Sequence, residues 1–377
     1  MSFWKKVLGI AEVSPLSEPE RFEVERLIAG AYIDPSLGLD LKSSNSIKRI
    51  ERYKMQLNVC IELNYPGASV QADIVSSLTL ALQTMKGFDS VDVSVSWTIP
   101  AHKGQRDEVS RIKNIIAVSS GKGGVGKSTT TVNLALALIA DGARVGILDA
   151  DLYGPSQPKL LGIPDGTTPE TRDMRFYAPI EVHGLKMMSM GVMVTEKTPL
   201  MWRGPVASET IQQLITQTLW GDLDYLLIDM PPGTGDIAIS VAQTLAIAGA
   251  VVVTTPQDIA LLDVKKGIEM FQAVNIPLLG VIENMAIHTC QNCGLTEHVF
   301  GQGGGEGIAK VYQSELLGSL PLALSIRKYS DEGLPILLAE PDSDESLLYK
   351  QIARRMAVNV AQPGVITALP KITFVDD

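Results

Sequence analysis

Cysteine is scarce in this 377-residue chain. The three present cannot form a disulfide framework, and two of them stand as C-x-x-C, a spacing that in a reducing compartment points to metal or redox chemistry. A basic surplus is also missing. Lys and Arg number 32 against 42 Asp and Glu, a formal net charge of −10, so no general basic field awaits a polyanion and no nucleic-acid partner is expected. Long apolar runs are absent too. The longest candidate, Leu245 to Val253, falls short of the ~18 residues that cross a bilayer, so no membrane partner is expected. Met1 to Val13 carries Lys5 and Lys6 without a long apolar core or a small-residue cleavage site. No signal peptide is read there, and a soluble cytoplasmic protein is expected. What is present is globular: 45% hydrophobic residues, and length enough for two domains.

Two segments of different rhythm are joined by a polar link. In the first, residues 1–100, Ser17 and Glu20 have capping-box spacing ahead of a helical stretch that ends near Asp34-Pro35. Leu57, Val59, Ile61 and Leu63 alternate with polar residues, as do Val91, Val93, Val95 and Trp97, which is the period of half-buried strands. Between them Ile74, Val75, Leu78 and Leu82 fall at helical spacing. A small α+β module is expected. Residues 101–113 (AHKGQRDEVSRIK) are charged and read as a linker with room for a helical turn. From Asn114 to residue 361 short apolar runs alternate with helical stretches: 115–118, 145–148, 225–228, 250–253 and 278–282. Non-alternating strands of this kind belong to a parallel sheet covered on both faces. The expectation is a doubly wound α/β domain, with its ligand at the C-terminal ends of the strands. Residues 362–377 read as a loosely ordered tail.

Gly121-Lys122-Gly123-Gly124-Val125-Gly126-Lys127-Ser128-Thr129 fits G-x-x-x-x-G-K-[ST] between an expected strand and an expected helix. Glycines let successive backbone N–H groups turn inward around phosphate oxygens, and the helix N-terminus adds partial positive charge. Lys127 would reach the β- and γ-phosphates, and the Ser128 hydroxyl would ligate Mg²⁺. Tyr225-Leu226-Leu227-Ile228-Asp229 is an apolar strand ending in an acid, as a Walker B carboxylate holding Mg²⁺ through water would be. Asp149-Ala150-Asp151 ends another strand with two carboxylates.

Lys122 is not required by the phosphate cradle. It resembles the mark of the deviant P-loop ATPases that include MinD, ParA, the nitrogenase iron protein and the arsenical pump ATPase. By that resemblance Lys122 crosses a dimer interface to the partner's nucleotide, much as an arginine finger does. The resemblance also puts Asp151 near the attacking water and Asp149 closer to the metal. Gly233, in Met230-Pro231-Pro232-Gly233-Thr234-Gly235-Asp236, would offer its N–H to the γ-phosphate. Asn284 would bond the adenine edge and favour ATP, in keeping with the lack of an Asn-Lys-x-Asp guanine motif.

Met190-Gly191, Trp202-Arg203-Gly204-Pro205, Ile228 to Asp236, Thr255-Pro256-Gln257 and Glu283-Asn284-Met285 together resemble the signatures of the Mrp/ApbC (Nbp-like) family of P-loop ATPases that carry iron–sulfur clusters. The N-terminal segment resembles the small module fused ahead of the ATPase in bacterial members. Relatives of that module can carry a cysteine after the Tyr-Pro-Gly turn, where this chain has Ala68 and Ser69, so no cluster ligand is assigned there. Cys60 is read as a packing residue on a strand. The family resemblance implies a homodimer in which Cys290 and Cys293 of both chains bridge a labile [4Fe–4S] cluster, with apo iron–sulfur proteins and cluster donors as partners. The usual family form is C-P-x-C, and Gln291 stands where proline is common.

Three alternatives stay open at this stage. His288 and His298 lie near the pair and would complete a Cys₂His₂ zinc site in one chain. A nickel or zinc insertase would share every P-loop feature, because sulfur-rich tetrahedral sites accept several metals. A MinD/ParA-type positioning ATPase would need a basic amphipathic helix or a basic surface, neither of which is visible. Residues 164–179 (PDGTTPETRDMRFYAP) read as a mobile loop without an assigned function.

Overall fold

The computed structural model describes residues 13–35, 37–102, 105–106, 110–151, 154–193, 204–290 and 292–361. The 362–377 tail, Trp202-Arg203 and Gln291 lie outside the described residues. Two compact units divide at Ile99 and Pro100.

In the first unit Ser17 opens helix α1 (Glu18–Ala31), its backbone N–H donating to Glu20 Oε2 at 3.0 Å and its hydroxyl to the same oxygen at 2.7 Å. Strands β1 (Ile47–Tyr53) and β2 (Gln56–Leu63) pair antiparallel, and β2 pairs parallel with β3 (Ser90–Trp97). The parallel connection runs through helix α2 (Ala68–Leu82), which packs on β3 and on α1. Leu57, Val59, Ile61 and Leu63 are buried while their neighbours in sequence are only partly covered, the alternation of a sheet with one helix-covered face. Strand β1 was not legible in advance. Its sequence IKRIERY mixes apolar and charged residues, and none of them is fully buried.

The second unit is built on a mostly parallel sheet. Its strands are β4 (Ser110–Ser119), β5 (Val145–Asp149), β6 (Ile180–Val182), β7 (Leu185–Ser189), β8 (Gly221–Asp229), β9 (Ile247–Thr254), β10 (Leu278–Glu283) and β11 (Leu316–Ser319). They lie in the order β6-β7-β5-β8-β4-β9-β10-β11, parallel except for edge strand β6. Every residue of β5 and β9 is buried, which requires cover on both faces. Helix α3 (Lys127–Ala140) follows β4, α4 (Gln157–Leu160) follows β5, and α5 (Gly204–Thr216) precedes β8. Helix α6 (Asp236–Thr244) follows β8 and α7 (Asp258–Ala273) follows β9. Helix α8 (Gly304–Val311) packs on β10, and α11 (Asp344–Ala361), which follows the short helices α9 (Leu324–Asp331) and α10 (Ile336–Ala339), packs on α3. The doubly wound α/β architecture is therefore as expected.

Two local differences have simple causes. Residues 110–113 belong to β4 and pair with the start of β8. Their charges are tolerated because Arg111 meets Asp222 at 2.6 Å and Lys113 meets Asp224 at 2.9 Å. Within 164–179, Thr171–Arg172 and Phe176–Tyr177 form a small hairpin, and the Tyr177 N–H donates to the Gln217 carbonyl at 2.8 Å.

Helix α11 is tied to α3 by a buried ion pair, Arg354 Nη2 to Asp141 Oδ2 at 3.3 Å, with Asp141 at the α3 C-cap. Replacing Arg354 by Ala leaves a carboxylate buried without its cation. Chemical denaturation should show a loss of about 3–5 kcal/mol, and the double change Arg354→Met/Asp141→Leu should recover most of it.

Candidate functional site

Strand β4 lies at the topological switch point, with β8 and β5 on one side and β9 and β10 on the other. The loop leaving it, Ser120 to Gly126, opens at the C-terminal edge and delivers the N-terminus of α3 to the same spot. Gly124 and Gly126 both have φ of +82°, a left-handed conformation that only glycine adopts without strain. At Gly121 the constraint is contact instead. An added Cβ would lie 2.5 Å from the backbone of Asp263 and Val264, so the loop rests directly on α7. The cavity inside the loop is about 220 Å³ and is lined by Ser120, Lys122 to Thr129, Asp151 and Pro232. Every residue of the G-x-x-x-x-G-K-[ST] segment except Gly121 therefore faces one small concavity at a helix N-terminus, a geometry suited to an anion.

Beneath the loop the charged groups converge. The Lys127 ammonium, almost fully buried, pairs with Asp229 Oδ1, which also accepts the Thr131 hydroxyl at 3.3 Å. Asp229 closes β8, and the parallel register sets it directly beside Asp149 at the end of β5. Asp149 accepts backbone N–H groups from Ser156 at 2.9 Å, Gln157 at 3.1 Å and Asp151 at 3.2 Å, and the Ser189 hydroxyl at 3.2 Å. Burial, and secondly the neighbouring Asp229 charge, push its carboxyl up to about 7. Asp151 is half-buried and lines both this cavity and a second one of about 330 Å³ bordered by Pro231, Pro232 and Gly235 to Ala238. Gln157, Ser189 and Thr131 carried no sequence signal. They are found only because the fold folds three strand ends onto one point.

Three residues have contacts that differ from the sequence expectation. Lys122 Nζ donates to Gln257 Oε1 at 3.2 Å, so within this chain it lies against the N-cap of α7. The Gly233 N–H donates to the Ser120 carbonyl at 2.9 Å and would have to leave it to serve a phosphate. Asn284 donates from its side-chain amide to the Val125 carbonyl at 2.8 Å, bracing the loop from the end of β10.

The cysteine pair sits on a separate feature just beyond Asn284. His288–Thr289 pairs antiparallel with Thr296–Glu297, and Cys290 and Cys293 occupy the hairpin tip, half-buried and exposed respectively. Cys290 accepts hydrogen bonds from the backbone N–H groups of Asn292 and Cys293 and from the Cys293 thiol, which lower its pKa below the usual thiol value. The two histidines are engaged elsewhere: His288 Nδ1 lies 3.1 Å from the Leu322 carbonyl and His298 Nδ1 2.9 Å from that of Ala286. Among the described residues no group of three or more His, Cys, Asp or Glu side chains is arranged to hold a metal ion. A one-chain Cys₂His₂ site is thus not assembled. Leu295 in the hairpin and Val299 just after it are exposed apolar side chains, at 57% and 55%. Cys60 is not in the core: its sulfur takes the Ser94 hydroxyl at 3.3 Å on the partly open face of β2.

Comparison with known proteins matches residues 111–357 to the ParA family of NUBPL iron-transfer P-loop NTPases, and residues 30–95 to an iron–sulfur cluster assembly protein family. The chain is 55% identical over 278 residues to an iron–sulfur cluster carrier protein of Pseudomonas fragi, covering 73% of this chain and 97% of the relative. It is 43% identical over 360 residues to the Escherichia coli K12 protein of the same name, covering 94% and 97% respectively. Among solved structures, a nucleotide-binding protein of Archaeoglobus fulgidus in complex with ADP is 38% identical with a TM-score of 0.54, covering 62% of this chain and 90% of that one. Among the described residues no helix is long and apolar enough to cross a membrane.

The raised Asp149 pKa has a stability consequence. Above the unfolded value of 3.8 the unfolded chain releases this proton while the native state keeps it until about 7, so the contribution to stability falls through that window and is flat above it. Urea titrations at about pH 5 and about pH 7.5 should show the native protein losing stability as pH rises, and Asp149→Asn losing distinctly less.

Proposed function

This chain belongs to the ParA family of NUBPL iron-transfer P-loop NTPases, and on that footing we propose that it is an ATP-hydrolysing carrier that holds a [4Fe–4S] cluster between two copies and delivers it to apoproteins. The observation that carries the reading is the juxtaposition, in one unit, of a phosphate-sized glycine loop and a C-x-x-C hairpin joined through Asn284 and the end of β10.

Gly121 to Thr129 would cradle the phosphates, with Lys127 supplying charge to the β- and γ-oxygens. The donor set fits magnesium. Hard oxygens converge in Ser128 and Asp229 with Asp149 alongside, and Gln157 Oε1 is buried there without a hydrogen bond among the described residues. Ser128 and Asp229 would hold the ion, which when bound neutralises phosphate charge. Asp151, at the mouth of the cavity, would orient the attacking water. Lys122 would exchange Gln257 for the nucleotide of a second copy. Asn284, with its NH₂ on Val125, would turn its remaining hydrogen-bonding capacity to adenine.

The cluster is cargo. Two thiolates from one chain are half of the Cys₄ set that such clusters take, and a two-fold axis through the hairpins would supply the other half. Leu295 and Val299 would be covered in the same contact. Hydrolysis would change the interface and so link nucleotide state to cluster binding, with release to client apoproteins in a cytoplasmic setting. The N-terminal unit, matched to an assembly-protein family, would meet donors or clients.

Anaerobic reconstitution should give about four irons and four sulfides per dimer, lost in Cys290→Ser/Cys293→Ser and retained in Lys127→Ala, which should lose ATP hydrolysis instead. Bound zinc or nickel without iron in the native chain would move the assignment to a metal insertase.

A further inference from the structure

Resting on the nucleotide and magnesium reading above, we infer that Gln157 is the positioning residue of the metal site, acting through the Asp229 carboxylate. Gln157 stands at the first turn of α4, fully buried, and makes contact with three parts of the site at once. Its backbone N–H donates to Asp149 Oδ2 at 3.1 Å. Its side-chain NH₂ donates to Asp229 Oδ2 at 2.9 Å and to the Ser128 carbonyl at 3.1 Å. Asp229 Oδ1 is already committed to Lys127 and Thr131. With donors on both oxygens, the plane of the carboxylate is fixed. Among the described residues Gln157 is the side chain that holds Oδ2, so without it the carboxylate is free to turn about its last bond.

The residue type matters as much as the place. A neutral amide offers two N–H groups to two acceptors and adds no charge beside Asp149 and Asp229. A glutamate of the same size would set a third carboxylate against them. An apolar side chain would leave the Asp229 oxygen and the Ser128 carbonyl short of a donor in a buried place. The same contacts attach the far end of the Asp151 segment to the metal acid. A group that orients a metal-binding carboxylate governs metal affinity rather than nucleotide affinity, which separates this role from simple packing.

The test uses the full chain, with ADP as the probe, by calorimetry in EDTA and then with Mg²⁺ titrated in, alongside ATPase rates against Mg²⁺ concentration. Gln157→Met keeps the volume and removes the donors. It should leave ADP affinity in EDTA within about twofold of native while raising the Mg²⁺ concentration for half-maximal effect about tenfold. Gln157→His, whose Nε2–H reaches about as far as the glutamine amide, should return to within about threefold of native. An unchanged Mg²⁺ requirement in Gln157→Met, equal losses in both variants, or a matching loss of metal-free ADP affinity would overturn the inference. Failure of the native chain to bind ADP at all would instead overturn the nucleotide reading, and this inference with it.

Discussion

A buried ammonium between a glycine loop and a strand-end carboxylate organises this protein. Lys127 lies on Asp229, and the parallel register of β5 and β8 brings Asp149 to the same level. Such a pair is costly to desolvate and holds only where further hydrogen bonds satisfy both partners. Asp229 takes its bonds from Thr131 and Gln157, and Asp149 beside it from Gln157, Ser156 and Ser189, on elements scattered across the unit. Two acids share one cation here, so the set is one positive charge short of balance when both are ionised. Burial first, and secondly the Asp229 charge left by that shortage, raise the pKa of Asp149. A divalent ion would answer the same shortage, which is why the same few residues serve both stability and the chemistry proposed for the site.

What could be read from the sequence followed from which residues have a reason of their own to be there. The glycine loop was legible because each position answers to backbone geometry or to charge, and Asp149 and Asp229 because acids at the ends of apolar strands are conspicuous. Fully buried strands such as β5 and β9 declared themselves by composition alone. Strand β1 did not, since its apolar and charged residues follow no strict alternation and none of them is fully buried. Nor did residues 110–113, whose charges are matched by Asp222 and Asp224 a hundred residues on. Gln157 follows a Gly-Pro-Ser stretch with no periodic or compositional mark, and its importance comes entirely from the chain crossing that delivers it to Asp229.

The cysteine hairpin shows the same limit from the other side. The C-x-x-C spacing was plain, while the fate of the nearby histidines was not. Each of them is held by a backbone carbonyl at the base of the hairpin, where it stiffens the stem instead of extending the sulfur site. Of the two thiols, Cys290 stays half-buried and Cys293 is exposed, with Leu295 and Val299 exposed close by in the sequence.

The bond from Asn284 to the Val125 carbonyl ties the glycine loop directly to the end of β10. The residues that follow it run straight into the hairpin, clamped on the way by the Ala286 N–H on Leu320 and the Leu322 N–H on Ile287. One side-chain hydrogen bond thus separates a peptide of the glycine loop from the segment that leads into the stem of the thiol pair, and replacing the Asn284 amide would cut that connection.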